Sequence, residues 1–359
     1  MQIMPYDFIP IAQWGVRLTP KGRMLIAGPC SAESEEQLLA TARALPAEKT
    51  AFMRTGVWKP RTRPGSFEGA GEAAFEWLAR AKAETGLSAA VEVANARHVE
   101  IALSHGIDAV WIGARTTVTP FAVQEIADAL RGTDVPVLVK NPVHPDLELW
   151  LGAIERIAAA GVRRIAAVLR GCGGLAAGKY RNAPAWNLAI ELRRRLPGIP
   201  CLCDPSHIAG DAALVQEIAQ QAVNLDFQGL MIEVHANPPK ALSDSRQQLT
   251  PAQLDRLLET LVPRFQTSDN PEGQIKLDGL RLAIDQLDTT LLETLAARMR
   301  VSREIGALKR DNAITVLQAS RWEKVLAMAV ERGRSLGLDE AFVMDVFNRI
   351  HLESIAQQQ

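Results

Sequence analysis

Ten residues able to do chemistry stand at the C-terminal ends of short apolar runs: Cys30, Arg54, Lys59, Glu92, Arg115, Lys140, Arg170, Asp204, His207 and Glu233. Two chemistries are latent in them. Arg54, Arg115, Lys140 and Arg170 each close, or directly follow, a different run. A lone cation of this kind is usually a surface residue, its stem packed down or its head in a salt bridge. Four that converge from different runs make a site for a phosphate or a carboxylate. Cys30, His207 and Glu233, with Asp244 a few residues further on, offer thiolate, imidazole and carboxylate donors. That set suits a divalent metal. Buried cysteines are ordinarily inert core residues, and Cys201 and Cys203 fit that description, since they alternate within one run and share a face. Cys30 differs because it follows Gly-Pro at the end of a run.

The runs that carry these residues are MLIAGPC (24–30), AFMRTGV (51–57), SAAVEVAN (88–95), AVWIGAR (109–115), PVLVKNP (136–142), IAAVLRGC (165–172), IPCLCDPSH (199–207) and GLMIEVHANP (229–238). Each is apolar or β-branched and about the length of a buried strand. Amphipathic stretches separate them. SEEQLLATARAL opens on Ser34 with Gln37 three residues later, a capping signal. ELWLGAIERIAAAG ends on Gly161. TPAQLDRLLETLV starts with Thr250 as N-cap and Pro251 in the first helical position. Eight strand–helix units in about 240 residues predict an α/β fold of the (β/α)8 barrel type, with its site at the C-terminal strand ends. A doubly wound open sheet fits less well, because no Gly-rich dinucleotide fingerprint follows the first run. In a closed barrel the eighth strand neighbours the first, so Cys30, His207 and Glu233 come together and Asp244 can reach them.

The barrel is expected over residues 1–265. IAQWGVRL and the Thr-Pro-Lys-Gly after it suggest a short hairpin closing the barrel floor. QTSDNPEGQ is polar, with Pro and Gly, and reads as a linker over 266–274. From 275 to 359 the strand-like runs stop. Apolar residues at 277, 280, 284, 287, 291, 295 and 299 have helical spacing and predict one long helix. Two more helices are expected over SRWEKVLAMAVERGRSLG and EAFVMDVFNRIHLESIAQQQ. A three-helix unit this small has a thin core, which points to pairing with a second copy.

The 359 residues include 40 Lys+Arg and 41 Asp+Glu, a net charge of -1, so no basic excess marks a nucleic-acid partner. No apolar run approaches the ~18 residues of a membrane span, and the N-terminus has no secretory pattern. Four cysteines are too few for a disulfide scaffold of this length, which favours the cytoplasm.

With these elements in place, GPCSAES (28–34), KPRT (59–62), IGAR (112–115), VLVKNP (137–142), LRGC (169–172), DPSH (204–207) and IEVH (232–235) resemble 3-deoxy-D-arabino-heptulosonate-7-phosphate (DAHP) synthase. The resemblance covers the whole barrel and is to the branch shared with the 3-deoxy-octulosonate phosphate synthases. KPRT favours the heptulosonate enzyme. The resemblance implies condensation of phosphoenolpyruvate with erythrose 4-phosphate and release of phosphate. It implies that Lys59, Arg115, Lys140 and Arg170 hold phosphoenolpyruvate and that Arg61 and Thr62 contact the aldose phosphate. Arg54, Glu92 and Asp204 belong to the same substrate-facing rim. It further implies that Cys30, His207, Glu233 and Asp244 bind a divalent ion, one of Mn, Co, Zn, Fe or Mg.

Residues 275–358 are similar to the small all-helical chorismate mutases, through Arg281, Arg298, Lys309, Arg321, Ser354 and Gln358. That likeness implies rearrangement of chorismate to prephenate. The arginines would grip carboxylates, Lys309 and Gln358 would bond the ether oxygen, and Arg281 would cross from the partner of a homodimer. Many members carry an acidic residue directly after the second-helix arginine; here Trp322 stands there. Gln318 lies three residues before Arg321, where an aspartate is common. An alternative makes this unit chiefly a dimerising module that senses a product, so that prephenate or chorismate inhibits the synthase. For the barrel the alternatives are a metal-dependent hydrolase or condensation with another aldose phosphate.

Overall fold

The computed structural model describes residues 6–60, 65–173, 178–264 and 270–359. The chain divides into two compact units, 1–266 and 267–359. In the first, eight parallel strands close into a barrel in chain order. They are β1 (Met24–Gly28), β2 (Phe52–Thr55), β3 (Ala89–Val93), β4 (Ala109–Ile112), β5 (Val137–Lys140), β6 (Ile165–Leu169), β7 (Cys201–Cys203) and β8 (Gly229–Glu233). Each lies inside one of the eight predicted runs. β8 pairs with β1, with Glu233 level with Gly28.

Alternation along the strands produces two cores. Outward residues pack under the helix ring, while Met24, Ile26, Phe52, Ala90, Trp111, Leu138, Val168, Leu202 and Met231 fill the barrel. The inward face has period 2. One further step along it leads from Phe52 to Arg54, from Ala90 to Glu92, from Leu138 to Lys140, from Leu202 to Asp204 and from Met231 to Glu233. Trp111, fully buried, is the platform below this polar layer. The Arg54 guanidinium carbon stands 5.3 Å from its ring centre and Lys140 Nζ 5.9 Å.

The floor is closed differently from the expected hairpin. Among the described residues there is no strand before Met24. A short 3-10 turn, Ile11–Gln13, follows Pro10, and buried Ile11 and Trp14 seal the interior core. The amides of Gln13 and Trp14 donate to Pro10 O and Ile11 O, so local turn bonds take up the donors that a hairpin would have used. The helix signals fare better. Ser34 Oγ accepts from Gln37 N at 3.2 Å. Thr250 and Gln253 form a capping box with Pro251 in the first turn.

Among the described residues the second unit has three helices, Pro271–Asp311, Ala319–Ser335 and Glu340–Gln358. The predicted linker therefore ends earlier than 274. Asn270 caps the amides of Glu272 and Gly273, and Pro271 starts the helix. The long helix packs against the third where Gly306 meets the Gln358 backbone; a Cβ there would lie 2.7 Å from it. Towards its start, Ile275, Leu280, Ile284, Leu287 and Leu291 are all exposed.

Candidate active sites and metal centre

β2, β5, β7 and β8 deliver Arg54, Lys140, Asp204 and Glu233 into one buried layer. Lys140 Nζ donates to Asp204 Oδ2 at 2.7 Å, and Arg54 Nη2 to Glu233 Oε1 at 3.0 Å. Arg54 is 1% exposed, and its Nε and Nη1 find no hydrogen-bond acceptor. Against the opposing pull of burial, His207, Lys140 and Arg54 hold the Asp204 carboxyl well below the usual carboxylate range. Burial lowers Lys140 from its ordinary value. Lys59 behaves in the opposite way: burial would lower it, but Cys30, Glu92 and Glu233 outweigh that and raise it.

Above this layer is a cavity of about 180 Å³. Five cations line it (Lys59, Arg115, Lys140, Arg170 and Arg181), against the acids Glu92 and Asp244. His207 completes the wall. Burial depresses Arg170, and the positive charges of Arg181 and Arg115 add to that. A crowd of cations with too few carboxylates favours a compact multivalent anion, which charge-assisted hydrogen bonds would hold. Arg61 and Thr62 lie outside the described residues.

Cys30 Sγ and carboxylate oxygens of Glu233 and Asp244 all lie within 4.8 Å of one another. The fourth expected donor stands beside them: His207 Nε2 is 3.7 Å from Glu233 Oε1. His207 Nδ1 is 2.8 Å from Asp204 Oδ2, though not aligned for a hydrogen bond. A carboxylate behind one ring nitrogen, with the other facing the donors, is the usual setting of a metal-binding histidine. Burial keeps His207 below its ordinary value, despite Asp204, and so favours the neutral ligand form. Burial and Glu233 push the Cys30 thiol up to about 12. One thiol, one imidazole and two carboxylates at this spacing fit a divalent ion of the transition series. Cys172, Cys201 and Cys203 are buried and unpaired; Cys172 accepts from Asn141 Nδ2 at 3.3 Å.

Three groups had no signal in the sequence beyond polar side chains in loops. Arg181 binds Asp244 Oδ1 at 2.9 Å, Gln247 Nε2 donates to Glu233 Oε2 at 2.7 Å, and Gln248 Oε1 accepts from the Cys30 amide at 3.1 Å.

In the helical unit, Arg298 bonds Ser354 Oγ, and Lys309 Nζ donates to Gln358 Oε1 at 3.0 Å. Arg321 is exposed in the first turn of the second helix. Trp322 stacks on His351, with ring centres 3.9 Å apart and planes at 7°. Arg281 is not brought to this group. It pairs with Asp278 at 3.2 Å, and it lies 17 positions before Arg298 in the same helix, about 26 Å at ~1.5 Å per residue.

Residues 17–270 match the DAHP synthetase I family, and residues 280–359 match chorismate mutase type II. The phospho-2-dehydro-3-deoxyheptonate aldolase of Thermotoga maritima is 33% identical over 228 residues, 63% of this chain and 64% of that protein. The chain thus spans just under two thirds of that relative's length. The crystal structure of phospho-2-dehydro-3-deoxyheptonate aldolase (DAHP synthase) from Thermotoga maritima superposes with a TM-score of 0.63 at 30% identity, covering 70% of this chain and 72% of that one. The 4-amino-4-deoxychorismate mutase of Streptomyces pristinaespiralis is 31% identical over 78 residues, 22% of this chain and 60% of that protein. The chain belongs to the DAHP synthetase I family and carries a chorismate mutase type II domain after its barrel.

Proposed function

We propose a bifunctional enzyme of aromatic biosynthesis: a metal-dependent synthase in the barrel and a mutase in the helical unit. The synthase would join phosphoenolpyruvate to erythrose 4-phosphate and release phosphate. One observation carries this reading: a cavity with five cations against two acids, set over a cluster of one thiol and two carboxylates with the His207 imidazole beside Glu233. Lys59, Arg115, Lys140 and Arg170 hold the phosphate and carboxylate of the enol-phosphate, and Arg54 offers its unpaired donors from below. Arg61 and Thr62 take the aldose phosphate. A divalent ion held by Cys30, His207, Glu233 and Asp244 would supply Lewis acidity to the aldehyde oxygen. Carbon 3 of the enol-phosphate attacks the aldehyde carbon, water adds at carbon 2, and phosphate leaves. Lys59, kept as an ammonium, is the proton donor closest to the thiol, while Lys140, lowered by burial, gives up a proton more readily.

In the helical unit Arg298 and Arg321 bind the carboxylates of chorismate, and Lys309 and Gln358 stabilise the ether oxygen as its bond breaks. Arg281 can join that group only from a second copy, which makes the enzyme a homodimer. Product inhibition of the synthase by prephenate or chorismate belongs to this proposal, as does a cytoplasmic setting; no helix among the described residues is long and apolar enough to cross a membrane.

The test is phosphate release by the full chain, with erythrose 4-phosphate or arabinose 5-phosphate as co-substrate, with and without chelator. Turnover of erythrose 4-phosphate that a chelator abolishes is expected. Preference for the pentose phosphate, or full activity without metal, overturns the assignment. An unchanged synthase rate at saturating prephenate and chorismate ends the product-inhibition part.

A further inference from the structure

Arg181 lies in the loop between β6 and the helix Trp186–Arg195, and two contacts leave its Nη1. It donates to Asp244 Oδ1 at 2.9 Å and to Gln247 Oε1 at 2.8 Å. Gln247 passes the second contact on, since its Nε2 donates to Glu233 Oε2 at 2.7 Å. One guanidinium therefore touches one carboxylate of the metal cluster directly and the other through a buried amide. Each of these contacts takes one oxygen of its carboxylate. The other oxygens face inward: Asp244 Oδ2 is 3.5 Å from Cys30 Sγ, and Glu233 Oε1, which also accepts from Arg54 Nη2 at 3.0 Å, is 3.7 Å from His207 Nε2.

The same loop fastens the third ligand's backbone. Asn182 Nδ2 donates to the His207 carbonyl at 2.7 Å, and the amides of Arg181 and Asn182 both reach Ile208 O at 3.1 Å. The Arg181 stem packs on Gly210, where a Cβ would come within 2.3 Å of it. Asp244 needs such support. Its backbone is left-handed, with φ 45 and ψ 38, a conformation that strains a non-glycine residue.

We infer that Arg181, acting with Gln247, is a positioning residue for the metal: it turns the Asp244 and Glu233 carboxylates so that one oxygen of each faces the thiol and the imidazole. The inference rests on the metal reading proposed above. It has a physical rival. A guanidinium beside the site also repels a divalent cation, so on charge alone its removal would tighten binding. The geometry favours orientation, because Arg181 is already neutralised by Asp244 and holds its outer oxygen.

Competition between the full chain and a chromophoric chelator for Co(II) separates the two. Arg181→Met keeps the stem on Gly210 and removes the head; it should weaken Co(II) binding about 10–100-fold, the usual range for outer-shell partners. Gln247→Leu keeps the charge and breaks only the relay to Glu233, so it should weaken binding less. The double variant should be no worse than Arg181→Met, because the two act in series. Arg181→Lys restores part of the affinity, since it keeps the positive charge near Asp244 but on a shorter side chain than the one that carries Nη1. The visible Co(II) bands should shift in each variant, which a general loss of stability would not produce. An affinity within twofold of the unaltered chain, or a tighter one, in Arg181→Met and in Gln247→Leu overturns the positioning role. An unaltered chain that takes up no divalent ion refutes the metal reading instead.

Discussion

Loading the metal cluster between pH 7 and 9 should release about one proton, and that proton should come from Cys30. Burial and Glu233 push this thiol up to about 12, while Lys59 and Arg54 pull the other way. The other three donors have no proton to lose in that window. Burial keeps the imidazole of His207 below its ordinary value, and the Glu233 and Asp244 carboxyls are held down against burial, chiefly by His207 and then by Arg54 and Arg181 respectively. A metal takes the thiolate. Ionising such a thiol at pH 7 costs about 7 kcal/mol, at ~1.36 kcal/mol per unit, and the cost falls by that amount with each unit of pH. Affinity for Co(II) should therefore rise about tenfold from pH 7 to 8, and about tenfold again to pH 9. Titration calorimetry in buffers of different ionisation enthalpy counts the proton: about one for the unaltered chain and none for Cys30→Ser. The rival is already in the structure, because Lys59 Nζ is only 3.1 Å from Sγ. If the two form an ammonium–thiolate pair beforehand, no proton is released and affinity is flat with pH. That outcome refutes the claim that burial outweighs the ammonium.

Arg54→Met strands the buried carboxylates of Glu233 and Asp204, so metal-free protein should lose about 3–5 kcal/mol, read as a lower denaturation midpoint. The loss should shrink from pH 8 to pH 5, because carboxyls freed of Arg54 take up protons in the folded state before the unfolded chain does; a loss independent of pH contradicts this. Arg170→Ala removes one charge-assisted contact worth about 1.5–3 kcal/mol. It should raise KM for phosphoenolpyruvate at least tenfold; a rise confined to the aldose phosphate would reassign the residue. Leu287→Glu with Leu291→Glu should give a monomer by light scattering, without mutase activity but still binding Co(II). A persistent dimer would show that the exposed helix face is not the interface.

The barrel was readable because its strands must be continuously apolar and its site residues are the next inward step of the same alternation. Arg54 following Phe52 and Glu233 following Met231 are instances of that register. The loop partners were not readable. Arg181 gains meaning only from Asp244 and Gln247, more than sixty residues away in the chain, Gln247 only from Arg181 and from Glu233 at the end of β8, and an amide in a polar loop carries no periodic mark. Arg54 stands one inward step beyond Phe52, but its partner Glu233 emerges only once closure of the barrel sets β2 and β8 on either side of β1. The start of the long helix was misjudged for a different reason. Composition made 266–274 a linker, yet Asn270-Pro271 is itself a capping signal, and local hydrogen bonding prevailed over polarity. The floor hairpin gives way to a turn because the amides of Gln13 and Trp14 bond locally.

The long helix has one more consequence, for symmetry. If Arg281 of each copy completes the group around Arg298 of the other, the two helices run antiparallel and the two-fold axis crosses midway between those positions, near Thr289 and Thr290. An isologous pairing then sets each residue before the axis opposite one equally far beyond it. Leu287 and Leu291 flank that axis, so Leu287 stands opposite position 292 of the other copy and Leu291 opposite position 288. A single carboxylate introduced there is present twice, near the centre of the interface rather than at its edge. Every sequence change along this stretch is thus doubled by symmetry, and the leucines next to the axis are the positions least free to vary.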